Sequence, residues 1–136
     1  MGIYAIIVIK NKKEEYLQYY DEIWKSYLFL NCKLPNGDDS VAVIDHISKM
    51  LDIDKEFINV SSIGKKQHKK FSESAKKEKE YIHYFYDMKL DVKLPDNEFG
   101  LNNVMYKWFS YSDLMKNERI QKVNSDIVQF IKEFNM

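Results

Sequence analysis

The sequence predicts one α/β domain in which three strands lead into a helix, and further strands lead into a closing helix. Three observations point there. The chain opens on an apolar run, Ile3-Tyr4-Ala5-Ile6-Ile7-Val8-Ile9, rich in β-branched side chains that pack well on a pleated surface. Over residues 41–51 the hydrophobic period becomes helical. An aromatic stretch at 81–90 is then followed, after turns, by an apolar-faced segment at 125–134.

Each element follows in order. The first strand ends in the polar cluster 10–15, which contains Asn11. Strands at 16–20 and 24–30, around a turn at Asp21-Glu22, complete an antiparallel meander. Pro35, Asn36 and Gly37 make 31–39 a loop, after which Asp38, Asp39 or Ser40 offers an N-cap. In the helix, Ile44, Ile47 and Leu51 recur at helical spacing, with Val43 and Met50 flanking and Asp52 as the stop. Strands at about 57–64 and 81–90 bracket a lysine-rich stretch whose 69–74 part reads as strand or loop. Residues 95–103 read as a turn-rich loop, 106–109 as a short strand and 111–115 as a helical turn. Ile127, Ile131 and Phe134 share one face of the last helix.

Composition narrows the function classes. The 136 residues suit one domain, and 45% hydrophobic residues supply a core. Lys plus Arg and Asp plus Glu number 21 each, so no global field draws the chain to nucleic acid or an anionic membrane. Any anion site must be local. Cys32 is the only cysteine, which excludes an internal disulfide and a thiolate zinc cage and fits a reducing cytoplasm. The opening apolar run lacks a basic flank and is too short to cross a bilayer, so neither a signal peptide nor a membrane anchor is expected.

A loop and helix placed directly after a Trp-bearing third strand resembles the Nudix hydrolase superfamily. The family motif reads G, five residues, E, seven residues, then R-E-U-x-E-E-x-G-U, where U is a bulky aliphatic residue. Leu51-Asp52-Ile53 matches its end and Ile47 its internal aliphatic position. Asp45 then stands for the arginine, His46 for the first glutamate, and Lys49 and Met50 for the glutamate pair. Asn36-Gly37-Asp38 resembles the Pro-Gly-Glu that opens the family's helix, with the following loop one residue shorter. Glu22-Ile23-Trp24-Lys25 resembles the family's Trp-bearing strand. Tyr106-Lys107-Trp108-Phe109, running into Ser112-Asp113-Leu114, resembles its late strand and short helix. The resemblance implies a Nudix-like α/β/α sandwich around a mixed sheet, covering nearly the whole chain.

It also implies chemistry. Family members hydrolyse nucleoside diphosphates linked to another group, with Mg²⁺ or Mn²⁺ held by the glutamates of the motif. Mg²⁺ demands oxygen ligands. Here His46, Lys49 and Met50 offer no carboxylate. A unit charge pair at about 4 Å and an effective dielectric near 20 is worth about 4 kcal/mol, and Lys49 sets that against a cation. The preferred expectation is therefore a non-catalytic module, with no catalytic residue and no metal, that binds a nucleotide-like phosphorylated ligand or a protein partner. A hydrolase with displaced Mg²⁺ or Mn²⁺ ligands is the alternative, with Asp38, Asp39 and Asp45 nearby and Glu56, Glu73, Glu98 and Glu118 as outside bases. A third reading is an interaction module or homodimer built on sheet edges or on the lysine-rich stretch.

Ligand candidates are His46 and Lys49, three apart on one helix face, with Trp24 and Lys33. His46 and Lys49 replace metal with fixed positive charge, or are simply solvated; Met50 packs. Residues 65–79 carry seven lysines and two glutamates, so Lys65, Lys66, Lys69 and Lys70 form an electrostatic patch or a solvated hairpin. His68 is expected to be exposed there, and His83 to be structural. The strand tyrosines can pack or stack on a base.

Overall fold

The computed structural model describes residues 2–72 and 75–136. In chain order the elements are β1 (Gly2–Ile9), β2 (Tyr16–Asp21), β3 (Ser26–Lys33), α1 (Ser40–Leu51), β4 (Ile58–Ser72) and β5 (Lys77–Leu90). They continue with β6 (Phe99–Leu101), β7 (Val104–Phe109), α2 (Tyr111–Lys116) and α3 (Glu118–Glu133). The strands form one seven-stranded sheet in the order β4-β5-β1-β3-β2-β7-β6. β1 and β5 run parallel and the other pairs antiparallel, so the sheet is mixed.

β1 explains the layering. Successive side chains alternate across a strand, and both faces of β1 are apolar. Ala5, Ile7 and Ile9 pack with Leu30, Tyr86 and Met88 against Val43, Ile47 and Leu51 of α1. Ile6 and Val8 pack with Phe29 and Phe85 against Leu114 of α2 and Ile120, Ile127, Val128 and Ile131 of α3. Burying one such side chain stabilises the fold by about 1.5 to 3 kcal/mol. The sheet therefore separates α1 from α3.

Several boundaries differ from the sequence reading, each for a local reason. The first three strands are not a meander, because β3 lies between β1 and β2. Trp24 is in a turn rather than a strand. Asp21 Oδ1 accepts the backbone N–H groups of Ile23 and Trp24, at 2.9 and 2.8 Å, and closes that turn. β3 continues through Cys32 and Lys33 because β1 supplies Ala5 and Tyr4 as pairing partners. In α1, Val43 rather than Ile44 is fully buried beside Ile47 and Leu51. Asp39 is the N-cap of α1, accepting from the Ala42 N–H at 3.1 Å, and Asp52 stops the helix in the left-handed region.

The lysine-rich stretch is a continuous hairpin, with Ile58 paired to Leu90 at its base and Ser72 to Lys77 near its tip. The 95–103 segment contains β6, turned back onto β7 by Asn102 and Asn103, both at positive φ. α3 begins at Glu118, earlier than its apolar periodicity suggests, because Asn117 caps it through the Ile120 N–H at 2.9 Å. Asn124 then leaves helical geometry, with φ −142°, so the helix bends there.

Candidate functional site

A cleft of about 150 Å³ opens between the sheet and α3. Its floor is Tyr4 and Ile6 of β1, Phe29 and Asn31 of β3, and Tyr81 and His83 of β5. α3 supplies Val123, Asn124 and Ile127, the bend at Asn124 turning that residue to the cleft wall. Trp24 stands at one side with Lys70 and Lys79. The Lys70 ammonium lies 5.7 Å from the Trp24 ring centroid, a cation–π arrangement. Arg119 holds the Trp24 carbonyl, its Nε 3.2 Å away, and so fixes the turn that presents the indole.

Behind the cleft runs a polar chain. Lys70 Nζ contacts Asp126 Oδ1 at 3.0 Å and the Val123 carbonyl at 3.1 Å. Asp126 Oδ2 is sealed from solvent without a well-aligned hydrogen bond, and His68 Nδ1 stands 3.3 Å from it. His68 Nε2 then meets His83 Nδ1 at 2.8 Å. Contrary to expectation, His68 is not exposed; its side chain is 15% accessible and packs edge-on to Phe130. Burial pushes the His83 imidazole down to about 3, with His68 and Lys70 adding to the effect and Asp126 opposing it. Burial also lowers His68, again against Asp126.

Of the sequence candidates, Trp24 and Lys70 meet at this cleft. His46 and Lys49 lie on α1, across the sheet from it. His46 is half-buried, and burial lowers its pKa against the pull of Asp45 and the Asn31 backbone. Lys49 is exposed and pairs with Asp45 at 3.0 Å, while Lys55 reaches the other Asp45 oxygen at 2.9 Å. Those two hydrogen-bonded ammonium groups, Lys55 first, bring Asp45 down to about 2. Lys33 is exposed at the end of β3. In the lysine hairpin, Lys65 and Lys69 are exposed, whereas Lys66 faces α3, where it pairs with Glu133 at 3.3 Å.

The carboxylates near the motif are engaged elsewhere. The Tyr86 hydroxyl donates to Asp38, and the Asp39 backbone N–H donates to that hydroxyl at 2.9 Å. Glu56, Glu98 and Glu118 are exposed, and Glu73 lies outside the described residues. Among the described residues no three His, Cys, Asp or Glu side chains gather as a metal site. The donor set at His46, Lys49 and Met50 does not fit Mg²⁺ or Mn²⁺, which take oxygen ligands.

Tyr4, Asn31, Lys79, Asn124 and Asp126 were not singled out by sequence reasoning. Period-two alternation within one long hairpin would have put Lys66, His68 and Lys70 on one face, with His83, Tyr81 and Lys79 opposite them.

No family model matches the chain, and no curated protein sequence matches it. Solved structures do. The chain is similar to the Ap4A hydrolase of C. elegans, with TM-score 0.63 and 17% identity over 99% of this chain and 96% of that one. It is similar to a Nudix hydrolase of Nitrosomonas europaea, with TM-score 0.57 and 14% identity over 98% and 87%. A Nudix hydrolase of M. smegmatis aligns with TM-score 0.51 and 6% identity over 98% and 84%. The mixed sheet between α1 and α3 is a Nudix-like fold. Among the described residues no helix is long and apolar enough to cross a membrane.

Proposed function

We propose that the domain binds a nucleotide-like phosphorylated small molecule in the α3-side cleft, without metal-dependent hydrolysis at the α1 motif. The observation that carries it is Trp24 and Lys70 meeting at the mouth of an aromatic-walled cleft. Tyr4, Trp24 and Tyr81 offer ring faces for a base, and such stacking is worth about 1 to 3 kcal/mol per base. Asn31 and Asn124 supply amide donors and acceptors, and Lys70 and Lys79 supply charge for phosphate. On this reading the motif positions His46, Lys49 and Met50 are degenerate.

The test is Trp24 fluorescence in a Trp108→Phe background, titrated with ADP in EDTA. A saturable change, weakened roughly tenfold or more by Lys70→Ala, supports the cleft. No change at millimolar ADP overturns it.

A Nudix-type hydrolase is the second reading, favoured by structural neighbours that are themselves named Ap4A hydrolase and Nudix hydrolase. Incubation with Ap4A and Mg²⁺ or Mn²⁺ separates the two. Product formation that survives in highly purified protein and disappears in Asp38→Asn, Asp39→Asn or Asp45→Asn favours the enzyme.

A further inference from the structure

Resting on the cleft reading above, the polar chain behind it has a consequence for ligand binding. Two ring nitrogens 2.8 Å apart share one proton, so the tautomers of His68 and His83 are coupled. His68 Nδ1 lies 3.3 Å from the carboxylate of Asp126, and only a protonated nitrogen is welcome there. His68 therefore carries its proton on Nδ1, facing Asp126 without a well-aligned hydrogen bond, and accepts at Nε2 from Nδ1–H of His83. That assignment leaves His83 Nε2 as a bare acceptor in a residue that lines the cleft. Nε2 has no hydrogen-bond partner among the described residues, and it is not one of the sealed polar atoms. As it stands, the chain sets one ammonium and one carboxylate beside two rings whose charged forms burial disfavours.

An anion in the cleft changes this balance twice. It draws Lys70 away from Asp126, so the carboxylate loses its cation and turns toward the histidine pair alone. It also places negative charge beside His83, favouring the protonated ring. We infer that the His68–His83 pair takes up a proton when a phosphorylated ligand enters, so that the cleft binds its ligand more tightly as pH falls. The proton belongs to the coupled pair rather than to either ring.

The surroundings agree. From β4 the pair neighbours Lys66 and Lys70, from β5 Lys79 and Tyr81, and from α3 Asp126, with Glu133 of α3 held on Lys66. β1 presents Tyr4, whose ring stacks 6.1 Å from His83, and the β2–β3 turn presents Trp24. Lys66 is engaged by Glu133, so Asp126 is the carboxylate that answers the histidines. Burial disfavours the charged form of both rings in the empty cleft, which leaves a proton to be gained on binding.

Calorimetric titration of ADP in EDTA, at pH 5.5, 6.5 and 7.5 and in two buffers of different ionisation enthalpy at each pH, reads the proton directly. ADP's own terminal phosphate titrates near pH 6, so the comparison is between native protein and His83→Gln. The native protein is expected to bind at least tenfold tighter at pH 5.5 than at 7.5, with proton uptake exceeding that of His83→Gln by half a proton or more. Asp126→Asn is expected to lose the extra uptake too. Imidazole NMR titration of the native protein with and without ADP gives the same answer without a variant, as a rise in the apparent histidine pKa values on binding. ADP that binds with equal proton uptake in native and His83→Gln proteins, and with unshifted imidazole titrations, overturns the linkage and leaves the cleft reading standing. ADP that binds at no pH removes the cleft reading and the linkage with it.

Discussion

Asp45 and His83 are both displaced from ordinary titration behaviour, for opposite reasons. Asp45 is partly exposed and held at about 2 by the ammonium groups of Lys55 and Lys49. Carboxyl NMR titration is expected to show it rising toward the usual carboxylate range in Lys55→Ala and further in Lys49→Ala/Lys55→Ala. His83 is buried and held at about 3. Its folded pKa lies below the unfolded value near 6.5, so in that window the unfolded chain binds the extra proton. Stability therefore rises with pH from about 3 to 6.5 and levels off above, with a slope of up to about 1.4 kcal/mol per pH unit from this residue. Urea denaturation between pH 4 and 8 is expected to show that slope reduced in His83→Gln. Gln18 is a different case: its amide is fully buried on β2 with neither Nε2 nor Oε1 partnered among the described residues. Replacing both unsatisfied groups by apolar atoms, as in Gln18→Met, is expected to raise stability by about 1 to 3 kcal/mol, measured by urea denaturation.

At the scale of elements, α1 was legible because period 3.6 and a choice of acidic caps survive in sequence alone. Asp39→Ala is expected to cost about 1 kcal/mol and Ile47→Ala about 2 to 5, by thermal or urea unfolding. Restoring glutamate at His46, Lys49 and Met50 is expected to create Mn²⁺ affinity by calorimetry; a folded triple variant that binds none shows that α1 does not turn those positions toward a common groove. The β4–β5 hairpin was harder to read. Lysine disfavours a strand assignment, yet in β4 alternate residues lean on α3, so Lys66, His68 and Lys70 are held by Glu133, Phe130 and Asp126. Those partners lie more than fifty residues away in the chain. The cleft escaped notice for the same reason, since Trp24, Lys70, His83 and Asn124 share a wall only after the sheet and α3 have packed.

At the scale of the molecule, β1 lies third from one edge of the sheet although it is the first strand in the chain. Its antiparallel neighbour β3 follows after a short interval, but its parallel neighbour β5 pairs Ile7 with Tyr86 across almost eighty residues of intervening chain. The hairpin β4–β5 and the β2–β3 pair close local loops, whereas β1 and β5 must close a long one, at an entropic cost that grows as about (3/2)RT ln n. Folding speed is therefore set by when the two halves of the sheet find each other, and the local hairpins can form beforehand. During synthesis β1 has one natural partner and an unmatched flank until residue 90 has left the ribosome, and that flank is apolar on both faces. A strand that ends among the best protected in the molecule spends its early life as the segment most in need of shelter.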